Sequence, residues 1–121
     1  MKLYLNIFKA LSDENRLRIL LMLKVRPLCV CEIFEVLNIA LSTLSSHLKL
    51  MKNYGLIEDE KDGRWVIYKL VNGNNFLKSL LGELEKTLQN NERVAGDRII
   101  ISQITREICS IKLKERSHEK L

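Results

Sequence analysis

No run of apolar residues in this chain is long enough to span a bilayer. Its opening, Met1-Lys2-Leu3-Tyr4-Leu5-Asn6, carries one basic residue and soon turns amphipathic, so it does not read as a signal peptide. A cytoplasmic protein without a membrane partner is expected, and in that compartment thiols stay reduced. Cysteine is scarce: the three present cannot all pair within one chain, which argues against a disulfide framework. A glycine-rich phosphate loop is missing. So is any Ser/His/Asp or Cys/His set placed for activation, and few carboxylates lie outside faces that read as exposed. These absences argue against an enzyme. There is no internal repeat, and the one loosely linker-like stretch is Gln89 to Arg93.

What remains is a chain of 121 residues, 46% of them hydrophobic. That suits one domain with a real core, small enough to gain from a partner subunit. The net charge is +5 and the isoelectric point is about 9.2. Lysines and arginines displace counterions from phosphates, so this balance leans toward nucleic acid. The same charge also simply keeps a protein dispersed.

Leu3, Ile7, Ala10 and Leu11 recur at helical spacing and predict a first helix over residues 3 to 11. Ser12 offers a hydroxyl cap for a second helix, which Leu17, Leu20, Leu21 and Leu23 carry to about residue 24. Pro27, the single proline, cannot continue it. Val30, Ile33, Phe34 and Leu37 predict a short helix over 30 to 37 with those four facing the core, and Asn38 can end it in a left-handed conformation. A longer helix follows from about Leu41 to Tyr54, buried through Leu41, Leu44, Leu48 and Met51 and closed by Gly55. Residues 56 to 60 and 64 to 70 read as strands joined by Lys61-Asp62-Gly63, since Asp-Gly is a strong hairpin signal. Phe76, Leu77, Leu80, Leu81, Leu84 and Leu88 stripe another helix, entered through Asn72 to Asn75. Ile101, Ile104, Ile108 and Ile111 predict a last helix from about 97 to 114, and Lys114 to Leu121 form a polar, frayed end.

A short helix, a tight turn, a polar-faced second helix and a hairpin describe a winged helix-turn-helix. The fold expected is mainly α with a small β-hairpin wing, and homodimeric. Residues 1–95 are read as the DNA-binding and dimerisation domain, and residues 96–121 as a helix and polar tail packed on it. The second helix has what a major groove requires. Ser42, Thr43, Ser45 and Ser46 let the backbone come close, His47 shares that face, and Lys49 and Lys52 meet phosphates at the edges. Arg64 sits beside the hairpin turn, where a wing tip reaches the minor groove or the backbone. Taken alone, such a face is usually only a solvated one. Its company makes duplex DNA the expected partner. The leucine stripe of 76 to 88 and the apolar surface at both chain ends favour a symmetric dimer, with half-sites about 34 Å apart on DNA.

Several stretches together resemble the ArsR/SmtB family of metal-sensing repressors. They are Phe8-Lys9-Ala10-Leu11-Ser12-Asp13-Glu14-Asn15-Arg16-Leu17-Arg18-Ile19-Leu20, Leu44-Ser45-Ser46-His47-Leu48-Lys49, Leu56-Ile57, and Asp62-Gly63-Arg64-Trp65-Val66-Ile67-Tyr68. The resemblance spans residues 7 to 90. Leu28-Cys29-Val30-Cys31-Glu32-Ile33 resembles the thiol motif of the arsenic-responsive branch. This implies a homodimeric repressor that leaves its operator when trivalent arsenic or antimony binds. There are two departures from the family pattern. Ala40 stands where a hydroxyl usually caps the recognition helix, a loss of about 1 kcal/mol. Ser46 stands where a bulky polar or basic residue is common, which leaves the operator sequence open.

The thiol motif is also incomplete. The family often supplies a third sulfur three residues after the second, and Phe34 occupies that position. On a regular helix Cys29 and Cys31 diverge by about 200°, so they converge only if Cys29 lies in an extended approach before the helix begins. A helix N-terminus is expected to lower their pKa values. Cys109 lies about 120° from the centre of the tail stripe. It is either a third ligand, from its own or a partner chain, or an idle half-buried thiol. Zinc is disfavoured because it wants four ligands. His47 belongs to the recognition face, His118 lies in the tail, and the 76 to 88 helix lacks the histidine that some relatives use. The ion is expected to distort the first turn of the 30 to 37 helix and act through Val30, Ile33 and Leu37 on the recognition helix. Two other readings stay open: a thiol redox switch and a winged-helix protein-docking module.

Overall fold

The computed structural model describes residues 1–119. In chain order its elements are α1 (Lys2–Leu11), α2 (Glu14–Val25), β1 (Leu28–Cys29), α3 (Val30–Leu37), α4 (Leu41–Asn53), β2 (Ile57–Asp62), β3 (Trp65–Leu70), α5 (Asn75–Thr87), α6 (Glu92–Gln103) and α7 (Arg106–Glu119). The strands form one antiparallel sheet in the order β1-β3-β2. This is a helical body carrying a small wing, as the periodicities predict. Among the described residues no helix is long and apolar enough to cross a membrane. The division expected after residue 95 falls inside α6.

Local chemistry sets most boundaries. Asp13, not Ser12, caps α2: its backbone is extended and its side chain accepts from the Arg16 N–H at 3.1 Å. Ser12 keeps helical dihedrals at the end of α1, so it cannot turn its oxygen toward the next helix. Its hydroxyl donates back to the Lys9 carbonyl instead. Asn38 ends α3 at φ 52°, as its tolerance of the left-handed region allows. Ala40 gives α4 no side-chain cap. The hairpin is tighter than expected. Lys61 and Asp62 pair with Val66 and Trp65, which leaves Gly63 and Arg64 as a two-residue loop. Gly63 takes φ 62°, so the turn needs a residue without a Cβ there.

The tail is where the structure departs most from the sequence reading. One helix over 97 to 114 is replaced by two, broken at Ile104-Thr105. Asn91 caps α6 by accepting from the Arg93 and Val94 N–H groups. Ile104 is extended at φ −102°, ψ 153°, and Thr105 Oγ1 accepts from the Ile108 N–H at 3.3 Å to start α7. The break resets the helical phase. Ile101 is buried, whereas Ile108 and Ile111 are exposed and Cys109 turns inward. Residues 114–119, expected to fray, continue α7.

Ile7, Ile19, Leu20, Ile33, Leu44 and Leu81 are fully buried and join α1 to α5 in one core. Leu41 and Phe76, read as inward, are each 40% exposed. Leu41 opens its helix at the edge of the core, and Phe76 instead takes edge-on contacts from Tyr4 and Phe8. Val30 is only partly buried. α6 is held on α2 by a two-pronged ion pair. Arg18 Nε and Nη2 donate to Asp97 at 2.9 and 2.7 Å. The fork matches the carboxylate, which keeps a charge tolerable in a nearly dry setting.

Candidate nucleic-acid interface and thiol site

α4 presents Ser42, Thr43, Ser45, Ser46, Lys49 and Lys52 to solvent, while Leu44, Leu48 and Met51 anchor its other side. Small side chains on one exposed face and lysines toward its C-terminal end give a surface that can enter a groove closely and still meet phosphates. Lys52 is already engaged. Its ammonium sits 2.9 Å from Asp59 of β2, and that hydrogen bond raises its pKa. His47 does not share the open face. Its side chain is 13% exposed and lies 3.8 Å from Asp13 and 3.3 Å from the Arg16 guanidinium. Burial works against the Asp13 charge, but the Arg16 N–H, His47 and Arg16 outweigh it and hold that carboxyl below its ordinary value. His47 thus ties α4 to the start of α2. Arg64 is exposed at the wing tip and stacks over Trp65 at 4.5 Å.

The thiols lie where β1 runs into α3, and on α7. Cys29 is extended at φ −80°, ψ 161°, immediately before α3. That geometry lets it meet Cys31, and their sulfurs stand 2.6 Å apart. β1 pairing sets Cys29 opposite Ile67. Trp65, two residues before Ile67, shares that face of β3, because side chains alternate along a strand. Cys29, Cys31 and Cys109 form one buried cluster, with Trp65, Ile67, Ile104 and Leu113 packed around it. Cys109 is 1% exposed, so the half-buried flank position expected from a continuous helix is not what forms. Among the described residues, no three Cys, His, Asp or Glu side chains stand close enough to hold a metal ion as they are.

The expected lowering of thiol pKa does not occur at Cys29. Burial, reinforced by the hydrogen bond with Cys31, holds the Cys29 thiol far above its ordinary range. Burial likewise pushes Cys109 up to about 11. Desolvation of a thiolate outweighs the partial charge of one short helix.

Sequence reading missed Glu32. It is 3% exposed. Its Oε1 accepts from the Cys29 N–H at 3.0 Å and its Oε2 pairs with Arg26 at 2.8 Å. Arg26 also donates to the Ile101 carbonyl at the end of α6. The signal was present: a glutamate three residues after a cap is half of a capping box. Trp65, Arg106 and Ser110 were missed because no local pattern brings α7 to the wing. Trp65 Nε1 donates to Ser110 Oγ at 2.8 Å, and Arg106 pairs with Asp62 at 2.5 Å.

Residues 13–59 match the bacterial regulatory protein, arsR family. Over 94 residues the chain is 39% identical to the arsenic resistance transcriptional regulator ArsR2 of Pseudomonas putida, covering 76% of this chain and 79% of that one. The chain belongs to the ArsR family. A second relative of the family, the cadmium resistance transcriptional regulatory protein CadC homolog of Staphylococcus aureus, is 40% identical over 91 residues, or 74% of this chain and 71% of its own. Among solved structures, HlyU from Vibrio cholerae superposes with a TM-score of 0.65 at 30% identity, covering 70% of this chain and 90% of that chain. This ArsR-family member is therefore a winged helix-turn-helix transcriptional repressor rather than an enzyme.

Proposed function

We propose that this repressor binds operator DNA as a homodimer and releases it when trivalent arsenic or antimony takes Cys29, Cys31 and Cys109. The observation that carries the reading is the shared buried cluster of the three sulfurs. Two come from the start of α3 and the third from α7, so one ion draws two elements together. Ser42, Thr43, Ser45, Ser46, Lys49 and Lys52 face the major groove. Arg64 meets the backbone or minor groove, and His47 positions α4 from behind. The dimer seam is the α1 surface, where Leu3, Tyr4, Leu5 and Phe8 are each about half exposed beside Phe76 of α5. A second copy of this chain covers such a self-complementary patch. The protein works in the cytoplasm, where its thiols stay reduced.

The proton state of the site supports arsenic or antimony over zinc or cadmium. Arsenous acid is a neutral triol. Each sulfur–arsenic bond that forms sends one hydroxyl and one thiol proton away together as water. A divalent cation must instead expel the protons that burial holds on Cys29 and Cys109. The test is competition of arsenite, antimonite, cadmium and zinc for reduced protein, followed by sulfur-to-metal absorption. The reading expects arsenite or antimonite to win with three sulfurs bound, and fails if zinc does. The close sulfurs of Cys29 and Cys31 favour a second reading, oxidant sensing by a disulfide between them. Peroxide-driven release of DNA with no response to arsenite is the result that would select it.

A further inference from the structure

We propose that α7 is a strap that carries occupancy of the thiols to the wing, with Ser110, Arg106, Trp65 and Asp62 as its coupling residues. This rests on the reading above and adds its route. The three sulfurs share a cluster without standing at ligand spacing, so gathering them on one ion requires movement. Cys109 and the Cys29-Cys31 pair belong to different elements. α7 hinges at its own start, where Ile104 is extended and Thr105 begins a new helix. A solvent-open pocket of about 600 Å³ adjoins that hinge, lined by Asp62, Ile67, Ile101, Ile104, Thr105 and Arg106 among others. There is room for the first turn of α7 to shift.

That turn is fastened to both places at once. Cys31 Sγ lies 3.7 Å from the Arg106 carbonyl and 3.7 Å from Ser110 Oγ. The same Ser110 hydroxyl accepts from Trp65 Nε1 at 2.8 Å and donates to the Arg106 carbonyl at 2.7 Å. The Arg106 guanidinium pairs with Asp62 and lies 5.1 Å from the Trp65 ring. Asp62 and Trp65 are the pair that closes the hairpin loop bearing Arg64. A displacement of Cys109 therefore carries its neighbour Ser110, and with it the base of the wing. α3 packs on α7, α6 and strands β1 and β3, and its Ile33 and Leu37 also share the core with Leu44 and Leu48 of α4. Lys112 adds a further tie to Glu35 of α3 at 3.2 Å.

The test uses the full chain, its Asp62→Asn/Ser110→Ala double variant, and Trp65→Phe, which keeps a ring but deletes the donor. Arsenite binding is followed by sulfur–arsenic absorption. DNA affinity is measured on duplexes selected from a random pool, with and without arsenite. The expectation is unchanged arsenite affinity in both variants. The arsenite-driven loss of DNA affinity, about tenfold to a hundredfold in the parent chain, falls to about twofold or less. An arm without any ion reads alkylation of Cys109 by iodoacetamide. Bound DNA slows it in the parent chain and fails to slow it in the variants. Parent-like arsenite release together with parent-like DNA protection in both variants overturns the strap. If arsenite releases no DNA from the parent chain, yet DNA protection of Cys109 is lost in the variants, the strap stands and the arsenic reading falls.

Discussion

Cys29 and Cys109 keep their protons because a thiolate in that buried cluster has lost its water, and the Glu32 charge nearby adds to the burial, which Lys112 only partly offsets at Cys109. That makes proton balance the sharpest probe at the scale of single residues. Between about pH 6 and 8, arsenite affinity should change by less than about threefold. Cadmium affinity should rise by about tenfold per pH unit for each proton it displaces. Titrations at three pH values check this, and a steep rise for arsenite would contradict protonated thiols. Stability carries the same signature. The unfolded chain ionises Cys109 near 9.0 while the fold holds it protonated to about 11. Its neutral burial therefore stabilises below the ordinary thiol value, and that contribution is lost as pH rises through about 11. Thermal melts should show this loss, and Cys109→Ala should flatten it.

At the scale of elements, the joints between helices bear the strain of the design. The Arg18–Asp97 pair fixes α6, from whose end α7 begins. Arg18→Met strands a carboxylate that is nearly buried and should cost about 3–5 kcal/mol in urea unfolding. Arg18→Met/Asp97→Leu should recover most of it. Much of this level could be read from the chain alone. The bounds of α3, the left-handed Asn38 and the extended Cys29 follow from residue chemistry within a few positions. The α6–α7 break did not, because Ile101, Ile104, Ile108 and Ile111 fit one helical phase well. Only the Thr105 cap and the packing of Cys109 against α3 override that stripe. β1 was invisible because two residues carry no alternation, and its pairing to β3 is what sets Cys29 beside Ile67. The partners of α7 on the wing are 44 or 45 residues away in sequence, beyond any local signal.

For the whole molecule, two surfaces must cooperate. The exposed α1 face, with Leu5 49% exposed, is the dimer seam of the proposal, and α4 with the wing meets DNA. Leu5→Glu should leave a folded monomer by sedimentation and weaken operator binding more than tenfold, since each half-site is then held singly. An unchanged dimer would move the seam elsewhere. The most direct test of the central claim compares the parent chain with Cys29→Ser/Cys31→Ser for release of a selected duplex as arsenite is added. The account predicts equal DNA affinity without arsenite and, in the variant, no release. Normal release from the double variant would contradict it, because the trigger would then lie outside Cys29 and Cys31.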